Sequence, residues 1–393
     1  MKLANNIKYF PAYEAFNNIQ IMAPIYTLML IAKGLSFAEL MIVQAVYTFT
    51  CTLLDVFSGC LSDRIGRKKI LIFGQILIIM SLGLWVFLDG FWPAVVLKAI
   101  YGAGMTFKNG ADVSLLYESL KYMKREKEYE EVKGRADSYM YVFASVECIL
   151  AGFVFGIDKN LPIAIAAILS LINLIFIVLF EETNEHEQKC RIKFLSELKV
   201  DTKYVLSNIK IIKIIVATSI YYFFIRINFI HFAPYLKDMN FKIEYIGIIY
   251  FVANLTTALA TKHNNDLYMK FKGDSARVLH LILIGAGFLF VTGNVYLFII
   301  GMLVHQSFRS VYMNIVDLEI NEIVDNDKRA AIMSYKSMIL NLSYSLLAPI
   351  FGFMAESRTN YDMYVIYLGL ILVAFALYKM IFRDKKGKVA YNN

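Results

Sequence analysis

Residues 278–308 form a run of 31 positions that contains no Asp, Glu, Lys or Arg. A helix needs about 20 apolar residues to cross the hydrocarbon core of a bilayer, and Gly293-Asn294 offers a turn near the middle of this longer run. Uncharged runs also cover 70–88, 160–180 and 337–355. Because backbone groups in lipid must pair within the protein, crossings are helices or closed barrels. The runs lack the period-two alternation of a barrel, which favours helices.

The composition agrees with a chain that is solvated by lipid. Hydrophobic residues make up 58% of the 393 residues and charged residues only 18%, whereas soluble domains contain about 45–50% and about 25%. We therefore predict an all-α membrane fold with twelve transmembrane helices. The predicted crossings are 10–32, 37–59, 70–89, 91–117, 135–157, 160–181, 211–235, 243–262, 275–292, 295–316, 331–354 and 361–382.

The charged middle of the chain predicts a division into two pseudo-symmetric six-helix bundles. Residues 1–181 form the first bundle and 209–382 the second, and 383–393 form a basic tail. Between the bundles, 182–208 reads as a linker that ends in an amphipathic helix on the membrane surface. Gly134-Arg135-Ala136 and Lys328-Arg329-Ala330 recur at an offset of 194 residues, as expected of a duplicated unit.

The basic residues predict the orientation. With a cytoplasmic N-terminus, the inner segments and adjacent span ends hold 29 of the 40 Lys and Arg residues, and the outer loops hold five. This asymmetry follows the positive-inside rule and predicts a multi-pass protein of the cytoplasmic membrane with both termini inside. The net charge of +8 is then a result of topology, and it requires no nucleic acid partner.

The segment between the second and third predicted spans carries the most specific motif. It reads Gly59-Cys-Leu-Ser-Asp63-Arg64-Ile-Gly66-Arg67-Lys68. Asp55, Gly59 and Asp63 recur every four residues and so share one helix face. Gly66 permits a tight turn where a Cβ atom would clash.

This loop resembles the signature loop of the major facilitator superfamily, G-x-L-x-D-R-x-G-R-K. The resemblance implies that the protein is a secondary transporter whose halves rock about a central site, and that the loop is a gating motif. It also implies that Asp63 faces the N-terminus of span eleven, where a helix dipole favours a carboxylate, and that Arg67 joins this charge cluster.

Span four adds a finer resemblance, to bacterial exporters of the drug:proton antiporter type. It is carried by Gly102-x-Gly104, by Gly110-Ala-Asp112 and by residues 115–121. Lys98 stands where that type has an arginine. The glycine-rich signature of span five is reduced to Gly152 and Gly156, without proline.

Charged and polar residues inside the predicted spans are the candidate site residues, because a charge at a helix centre costs about 2.5–3.5 kcal/mol or more and normally faces an interior or a wet cavity. Lys98, Tyr101, Lys108 and Asp112 follow a helical stripe, in which Lys108 and Asp112 lie one turn apart and can pair. The candidates for substrate binding or coupling are Glu14, Asn17, Lys98, Tyr101, Lys108, Asp112, Glu147, Arg226, His231, His305, Arg309 and Lys336. The family resemblance implies that spans one, four, seven and ten line a central cavity, and most of these residues lie on those spans.

The balance of these charges predicts the kind of substrate. Five of them are cations (Lys98, Lys108, Arg226, Arg309 and Lys336) and three are anions (Glu14, Asp112 and Glu147). A cationic surplus attracts an anionic, zwitterionic or amphipathic cargo with a carboxylate or phosphate. Proton coupling requires a titratable group, for which the three acids are candidates. Glu147 is the most isolated of them, and Glu147→Gln is expected to abolish proton-driven transport while sparing exchange.

Several readings remain open at this stage. We expect proton-coupled efflux of a drug or metabolite by a monomer in the lipid bilayer, without a cofactor or metal. The alternative is a proton-coupled importer of an organic anion, sugar or peptide. The sequence has no phosphate-binding loop, which argues against an ATP-driven pump. The five histidines are scattered, and so are the four cysteines, which argues against a multi-pass membrane enzyme. Each single intramembrane charge can also be a structural tie between helices.

Overall fold

The computed structural model describes residues 3–182, 204–205, 207–263, 266, 269–270, 275–325 and 328–382. Nearly all of the predicted linker, with its amphipathic helix, and the basic tail lie outside the described residues. The chain divides into two compact units. The first comprises residues 1–195 with 243–248, and the second comprises 196–242 with 249–393.

The first unit makes six predicted crossings with eight α-helices. Their bounds are α1 Ala4–Asn17, α2 Tyr26–Ala32, α3 Phe37–Ile65, α4 Arg67–Phe87, α5 Phe91–Lys108, α6 Ala111–Tyr122, α7 Tyr129–Ile157 and α8 Leu161–Leu179. Two crossings consist of two helices each, α1 with α2 and α5 with α6.

The second unit contains the remaining six crossings. Their helices are α9 Ile209–Asp238, α10 Ile246–Lys262, α11 Ser275–Phe290, α12 Val295–Ile323, α13 Arg329–Glu356 and α14 Asn360–Phe382. Across the described residues, eight helices are long and apolar enough to cross a membrane, and Ala23–Ala32 and Val278–Phe290 are shorter apolar helices. The predicted all-α fold with twelve crossings is confirmed.

The first crossing is broken near its middle, where the sequence predicts one continuous helix. α1 ends at Asn17, a 3-10 turn covers Ala23–Ile25, and α2 starts at Tyr26. Asn17 and Asn18 are weak helix formers, and Pro24 lacks the amide that an uninterrupted helix would use. Pro24 instead lies at the start of the 3-10 turn, where its missing amide is harmless.

The fourth crossing is broken as well. α5 ends at Lys108, and Gly110 adopts a left-handed conformation with φ of +84° before α6 begins at Ala111. A residue with a Cβ atom is strained at this φ, so glycine fits the break. The predicted stripe along span four is therefore interrupted between Lys108 and Asp112.

Glycine also sets the packing within the first unit. Gly66 has φ of +108° and joins α3 to α4, which confirms the predicted turn. A Cβ atom on Gly104 would lie 2.6 Å from the Gly74 carbonyl oxygen, and one on Gly74 would lie 2.7 Å from the Gly104 oxygen. This reciprocal contact lets α4 and α5 approach backbone to backbone.

One end of the first unit is fastened by charges from three connecting segments. The Lys33 ammonium group lies 2.6 Å from Asp89 Oδ1 and donates to the Trp85 carbonyl oxygen at 2.9 Å. Lys159 reaches the second oxygen of Asp89, also at 2.6 Å. The connections after the first, third and fifth crossings thus meet at one end, as alternating crossings require.

The opposite end of the first unit is joined by neutral hydrogen bonds. The Asn6 side chain donates to Ser119 Oγ at 2.7 Å and to the Glu181 carbonyl oxygen at 2.9 Å, and it accepts from the Glu181 amide at 2.7 Å. The start of α1, the end of α6 and the end of α8 therefore lie together.

Candidate functional site

Asp112 lies in the first turn of α6, directly after the break in the fourth crossing. It accepts a hydrogen bond from the Tyr13 hydroxyl at 3.1 Å and from the Asn17 side chain at 3.4 Å, and the Val113 amide donates to its other oxygen at 2.8 Å. A carboxylate near a helix N-terminus is also favoured by the helix dipole. Two residues of α1, Tyr13 and Asn17, thus contact Asp112 at the start of α6.

Lys108 is buried beside Asp112, but its contacts differ from the prediction. No ion pair within 4 Å joins Lys108 to Asp112, both of which lie in the described part of the chain. The ammonium group donates instead to Gln75 Oε1 on α4 and lies 5.5 Å above the Tyr13 ring. Gln75 in turn donates to the Ser170 carbonyl oxygen at 2.7 Å. The break at Gly110 explains the difference, because it removes the helical register that the pairing assumed.

Glu14 belongs to a charge cluster that links α1 to α7. Its Oε1 atom lies 3.2 Å from the Lys133 ammonium group, which also forms a closer ion pair with Asp137. The Oε2 atom of Glu14 is buried and accepts no hydrogen bond from the described residues. Lys133 and Asp137 were not among the residues predicted for the site, although their spacing of four on one helix is a recognisable signal.

Glu147 has no ion-pair partner among the described residues, but its carboxylate has backbone partners. Its carboxylate on α7 is 6% exposed and accepts hydrogen bonds from the backbone amides of Gln20 and Ile21, inside the break of the first crossing. These two amides have left the helical pattern and require another acceptor. Glu147 therefore bridges the interruption between α1 and α2.

Lys98 is enclosed by aromatic rings from four helices. Its ammonium group lies 4.5 Å from the ring centre of Tyr26, 4.7 Å from Tyr47, 4.9 Å from Tyr101 and 5.8 Å from Trp85. Each ring face attracts a cation. Tyr101, which the sequence placed on the same stripe, is thereby confirmed as a neighbour of Lys98.

In the second unit, two arginines from α9 and α12 lie within electrostatic range of each other. The Arg226 guanidinium lies 4.0 Å from the Tyr344 ring centre and donates to the Tyr222 hydroxyl at 3.2 Å. Tyr222 in turn donates to Asn341 at 2.9 Å. Arg309 interacts electrostatically with Arg226 and with the tyrosines around it. Within the described residues, no carboxylate forms an ion pair with Arg309.

The two candidate histidines are buried in aromatic surroundings. His231 Nδ1 lies 3.4 Å from Asn360 Oδ1, and its ring packs against Tyr367. The His305 ring packs between Phe224 and Phe290. Neither ring nitrogen of His305 has a hydrogen-bond partner among the described residues. Both histidines are thus core residues of the second unit.

Lys336 forms an ion pair with Asp317, which joins α13 to α12. The side chain of Lys336 is 4% exposed and that of Asp317 is 34% exposed. Because Lys336 is paired with Asp317, it does not contribute to the cationic surplus that the sequence predicted. This pair is a structural tie between helices.

The motif loop contacts acidic residues of the first unit. Arg67 forms an ion pair with Glu118 at 2.5 Å, and the Arg67 and Lys68 amides donate to Glu182 at 2.9 and 3.0 Å. The Glu182 carboxylate thus lies at the N-terminus of α4, which favours an anion. Asp55, Gly59 and Arg64 are exposed. The side chain of Asp63 lies outside the described residues, so its contact with span eleven stays a prediction.

Taken by unit, the candidates form separate groups. The structure brings Lys108 and Asp112 to Tyr13 and Asn17 of α1, with Glu14 within electrostatic range of both. It gives Glu147 a backbone role. In the second unit it brings Arg226 near Arg309. The meeting of both groups in one central chamber stays a prediction. Among the described residues, no three His, Cys, Asp or Glu side chains are grouped as a metal site would require.

The fold and the motif loop define a polytopic helical membrane protein of the transporter class, and comparison with known proteins gives its family. Residues 15–271 match the Major Facilitator Superfamily. The chain belongs to this superfamily, and the resemblance read from the loop at 59–68 is confirmed. The finer likeness to drug:proton antiporters has no support from the comparisons.

A curated relative and several solved structures extend this result. The chain is 19% identical over 392 residues to the uncharacterized MFS-type transporter YxaM of Bacillus subtilis (strain 168), covering 94% of each chain. The crystal structure of the nucleoside transporter NupG matches with a TM-score of 0.84 at 14% identity, over 98% of this chain and 100% of that one. The D-xylose–proton symporter matches with a TM-score of 0.67 at 15% identity, over 96% and 95%. At these identities the solved structures establish the fold.

Proposed function

We propose that this major facilitator protein is a proton-coupled secondary transporter that moves a small organic molecule with an acidic group across the cytoplasmic membrane by alternating access. The observation that carries the substrate class is Arg309, which lies within electrostatic range of Arg226 and forms no ion pair with a carboxylate among the described residues. Two neighbouring guanidinium groups inside a membrane protein are costly unless an anion compensates them. A carboxylate or phosphate can accept parallel hydrogen bonds from such a group.

The acids of the first unit support an anionic cargo, because most of their negative charge is already compensated by partners within that unit. Asp112 accepts three hydrogen bonds, Glu14 faces Lys133, and Glu147 accepts from backbone amides. The positive charge of Arg309, which has no carboxylate partner among the described residues, is therefore well placed to attract a cargo.

Coupling to protons is proposed for the cluster of Glu14, Lys133 and Asp137. A proton on Glu14 removes the ion pair at 3.2 Å, and Lys133 then remains with its closer partner Asp137. This changes a contact between α1 and α7, whose relative positions a transport cycle must adjust. We propose export as the direction, on the resemblance of residues 102–121 to exporters, with proton-driven import as the alternative.

A flux assay tests the function. The purified protein is reconstituted in proteoliposomes that contain a pH-sensitive dye, and gluconate, succinate or glycerol 3-phosphate is added under an imposed pH gradient. Proton movement that depends on at least one of these anions is expected, and its sign distinguishes antiport from symport. Proton movement with the lipophilic cation tetraphenylphosphonium alone would contradict the assignment.

The matched variants are Arg309→Gln and Arg358→Gln. Hydrogen bonds to charged groups contribute about 1.5–3 kcal/mol, so Arg309→Gln is expected to raise the apparent KM for the anion at least about 10-fold. Arg358 is exposed at the end of α13, and its substitution is expected to leave transport unchanged.

A further inference from the structure

The break in the first crossing concentrates side-chain amides. Asn17, Asn18 and Gln20 lie in or beside the non-helical residues 18–22, and all three are partly exposed. Gln20 donates to Asn18 Oδ1 at 2.6 Å, and Asn18 donates to the Met140 sulfur atom at 3.6 Å. A sulfur atom is a weak acceptor, so this segment has hydrogen-bonding capacity beyond what its own contacts use.

The side chain of Asn17 also has hydrogen-bonding capacity that its own contacts leave unused. Its side-chain nitrogen donates to Asp112, but its buried Oδ1 atom accepts no hydrogen bond from the described residues. A buried acceptor left unpaired costs about 1–3 kcal/mol. The cost is avoided when a donor from a bound molecule reaches it.

Besides Pro24, a residue on another helix holds the segment in this shape. The Gln20 and Ile21 amides point to Glu147, which is 6% exposed and fixed on α7. Without an acceptor, these two amides would be unpaired in a membrane interior, and closing the helix would be the cheaper solution. Glu147 therefore opposes closure of the break.

We infer that residues Asn17, Asn18 and Gln20 form a binding site for hydroxyl or amide groups of the cargo, and that Glu147 is the positioning residue that holds this site open. The inference rests on the proposed transport function and adds a second recognition element in the first unit. Amide side chains donate and accept hydrogen bonds at once, which suits neutral polar groups. The cargo then combines an acidic group with a polar, hydroxyl-bearing body.

Three probes of similar size separate the two recognition elements. Gluconate carries a carboxylate and hydroxyl groups, hexanoate carries the carboxylate on a bare six-carbon chain, and glucose carries hydroxyl groups alone. Binding to the full-length protein in detergent micelles is measured by calorimetry. Wild-type protein is expected to bind gluconate more tightly than either of the other two probes.

Substitutions at the break test the site. A net hydrogen bond contributes about 0.5–1.5 kcal/mol, so Asn18→Ala with Gln20→Ala is expected to weaken gluconate binding about 5- to 10-fold and leave hexanoate binding unchanged. Arg309→Gln is expected to weaken both acids and leave glucose unchanged. An equal effect of Asn18→Ala with Gln20→Ala on gluconate and hexanoate, or no effect on either, would overturn the inference while the arginine result still supports the proposed function.

Two further results of the binding measurements also test the inference. Glucose binding that depends on Gln20, without any binding of the acids, would support this site and overturn the acidic cargo. Absence of binding by all three probes would overturn both.

Glu147 is tested by the ratio of gluconate to hexanoate affinity, which a general loss of stability would not alter. Glu147→Gln keeps one oxygen as an acceptor for the Gln20 amide, so the ratio is expected to stay within about 3-fold of wild type, at the lower end of the effect of one net hydrogen bond. Glu147→Leu removes both acceptors and is expected to abolish the preference for gluconate. A complete loss of preference in Glu147→Gln would overturn the positioning role, and thermal melting of each variant verifies its fold.

Discussion

At the scale of single residues, the charges of the first unit have defined partners, and these partners determine what each substitution does. Glu14 shares Lys133 with Asp137, and Asp112 is held by Tyr13 and Asn17. Neutralising one member of such a cluster leaves the other side chains in place, so the effect of each substitution can be measured on its own.

Glu14→Gln is expected to abolish accumulation of the anion driven by a pH gradient and to preserve counterflow exchange. The amide cannot take up and release a proton, but it retains the shape of the acid. The measurement compares proton-driven uptake with counterflow in the same proteoliposomes. Glu128→Gln is the control, since Glu128 pairs with Arg125 in an exposed contact. Unchanged proton-driven accumulation in Glu14→Gln would remove Glu14 from the coupling mechanism.

Arg309→Lys tests whether geometry or charge alone recognises the anion. Lysine keeps the positive charge but loses the planar fork that binds a carboxylate through two parallel bonds. We expect a KM for the anion that lies between those of wild type and Arg309→Gln, with little change in the maximal rate. A KM equal to that of wild type would show that charge is sufficient.

At the scale of helices, sequence patterns predict the crossings and the turn between α3 and α4, but they do not predict where a helix is broken. The turn at Gly66 follows from the motif, and the twelve crossings follow from the uncharged runs. The breaks at 18–22 and at Gly110 were missed, because hydropathy over a 20-residue window averages across them. The partners of Glu147 are backbone amides, which carry no side-chain signature in any sequence.

Gly104→Val is expected to destabilise the first unit. Its Cβ atom would lie 2.6 Å from the Gly74 carbonyl oxygen and 2.8 Å from a side-chain atom of Ile78. Overpacking of this kind costs about 1–3 kcal/mol, which a lower melting temperature in detergent would report. Gly134→Val is the control, because among the described residues a Cβ at Gly134 would meet no heavy atom within 4 Å apart from the adjoining backbone of its own helix. Equal melting temperatures would contradict the close approach of α4 and α5.

The fastening of Lys33, Asp89 and Lys159 predicts a dependence of stability on pH. Hydrogen bonds from Lys159 and Lys33 hold the pKa of Asp89 below its usual value. A lowered pKa means that the stabilisation is present above the unfolded value of about 3.9 and is lost as the pH falls through the folded value. Asp89→Asn is expected to melt below wild type at pH 7, and the difference is expected to shrink as the pH falls below the unfolded value of about 3.9. The effect is modest, because the Asp89 side chain is 48% exposed.

At the scale of the whole molecule, the connections of the first unit agree with six alternating crossings. Lys33, Asp89 and Lys159 lie at one end, and the start of α1 lies with the ends of α6 and α8 at the other. The positive-inside rule then predicts which end is cytoplasmic.

Single cysteines test that orientation. Asp158→Cys is expected to react with a membrane-impermeant maleimide in intact cells, and Glu126→Cys only after the membrane is opened. Each is made in a background in which Cys51, Cys60, Cys148 and Cys190 are replaced. The reverse pattern would invert the predicted topology.

The site was predicted less completely than the fold. Charges in apolar runs are conspicuous and supply the candidate residues, but Lys108 and Asp112, which interact electrostatically, form no direct ion pair within 4 Å. Gln75, the partner of Lys108, lies 33 positions earlier on α4, and no local spacing points to it. Contacts between helices that are distant in sequence depend on how the helix breaks change the direction of the chain.

Trp85, one of the aromatic residues around Lys98, can report on this region through its fluorescence. The chain has two tryptophans, of which Trp85 is 1% exposed beside the Lys98 ammonium group while Trp92 is 72% exposed. Quenching by iodide in solution removes the emission of the exposed indole first, so the residual fluorescence comes from the ring next to the buried cation. A conformational change that moves α4 relative to α5 can then be followed in real time without attaching a dye.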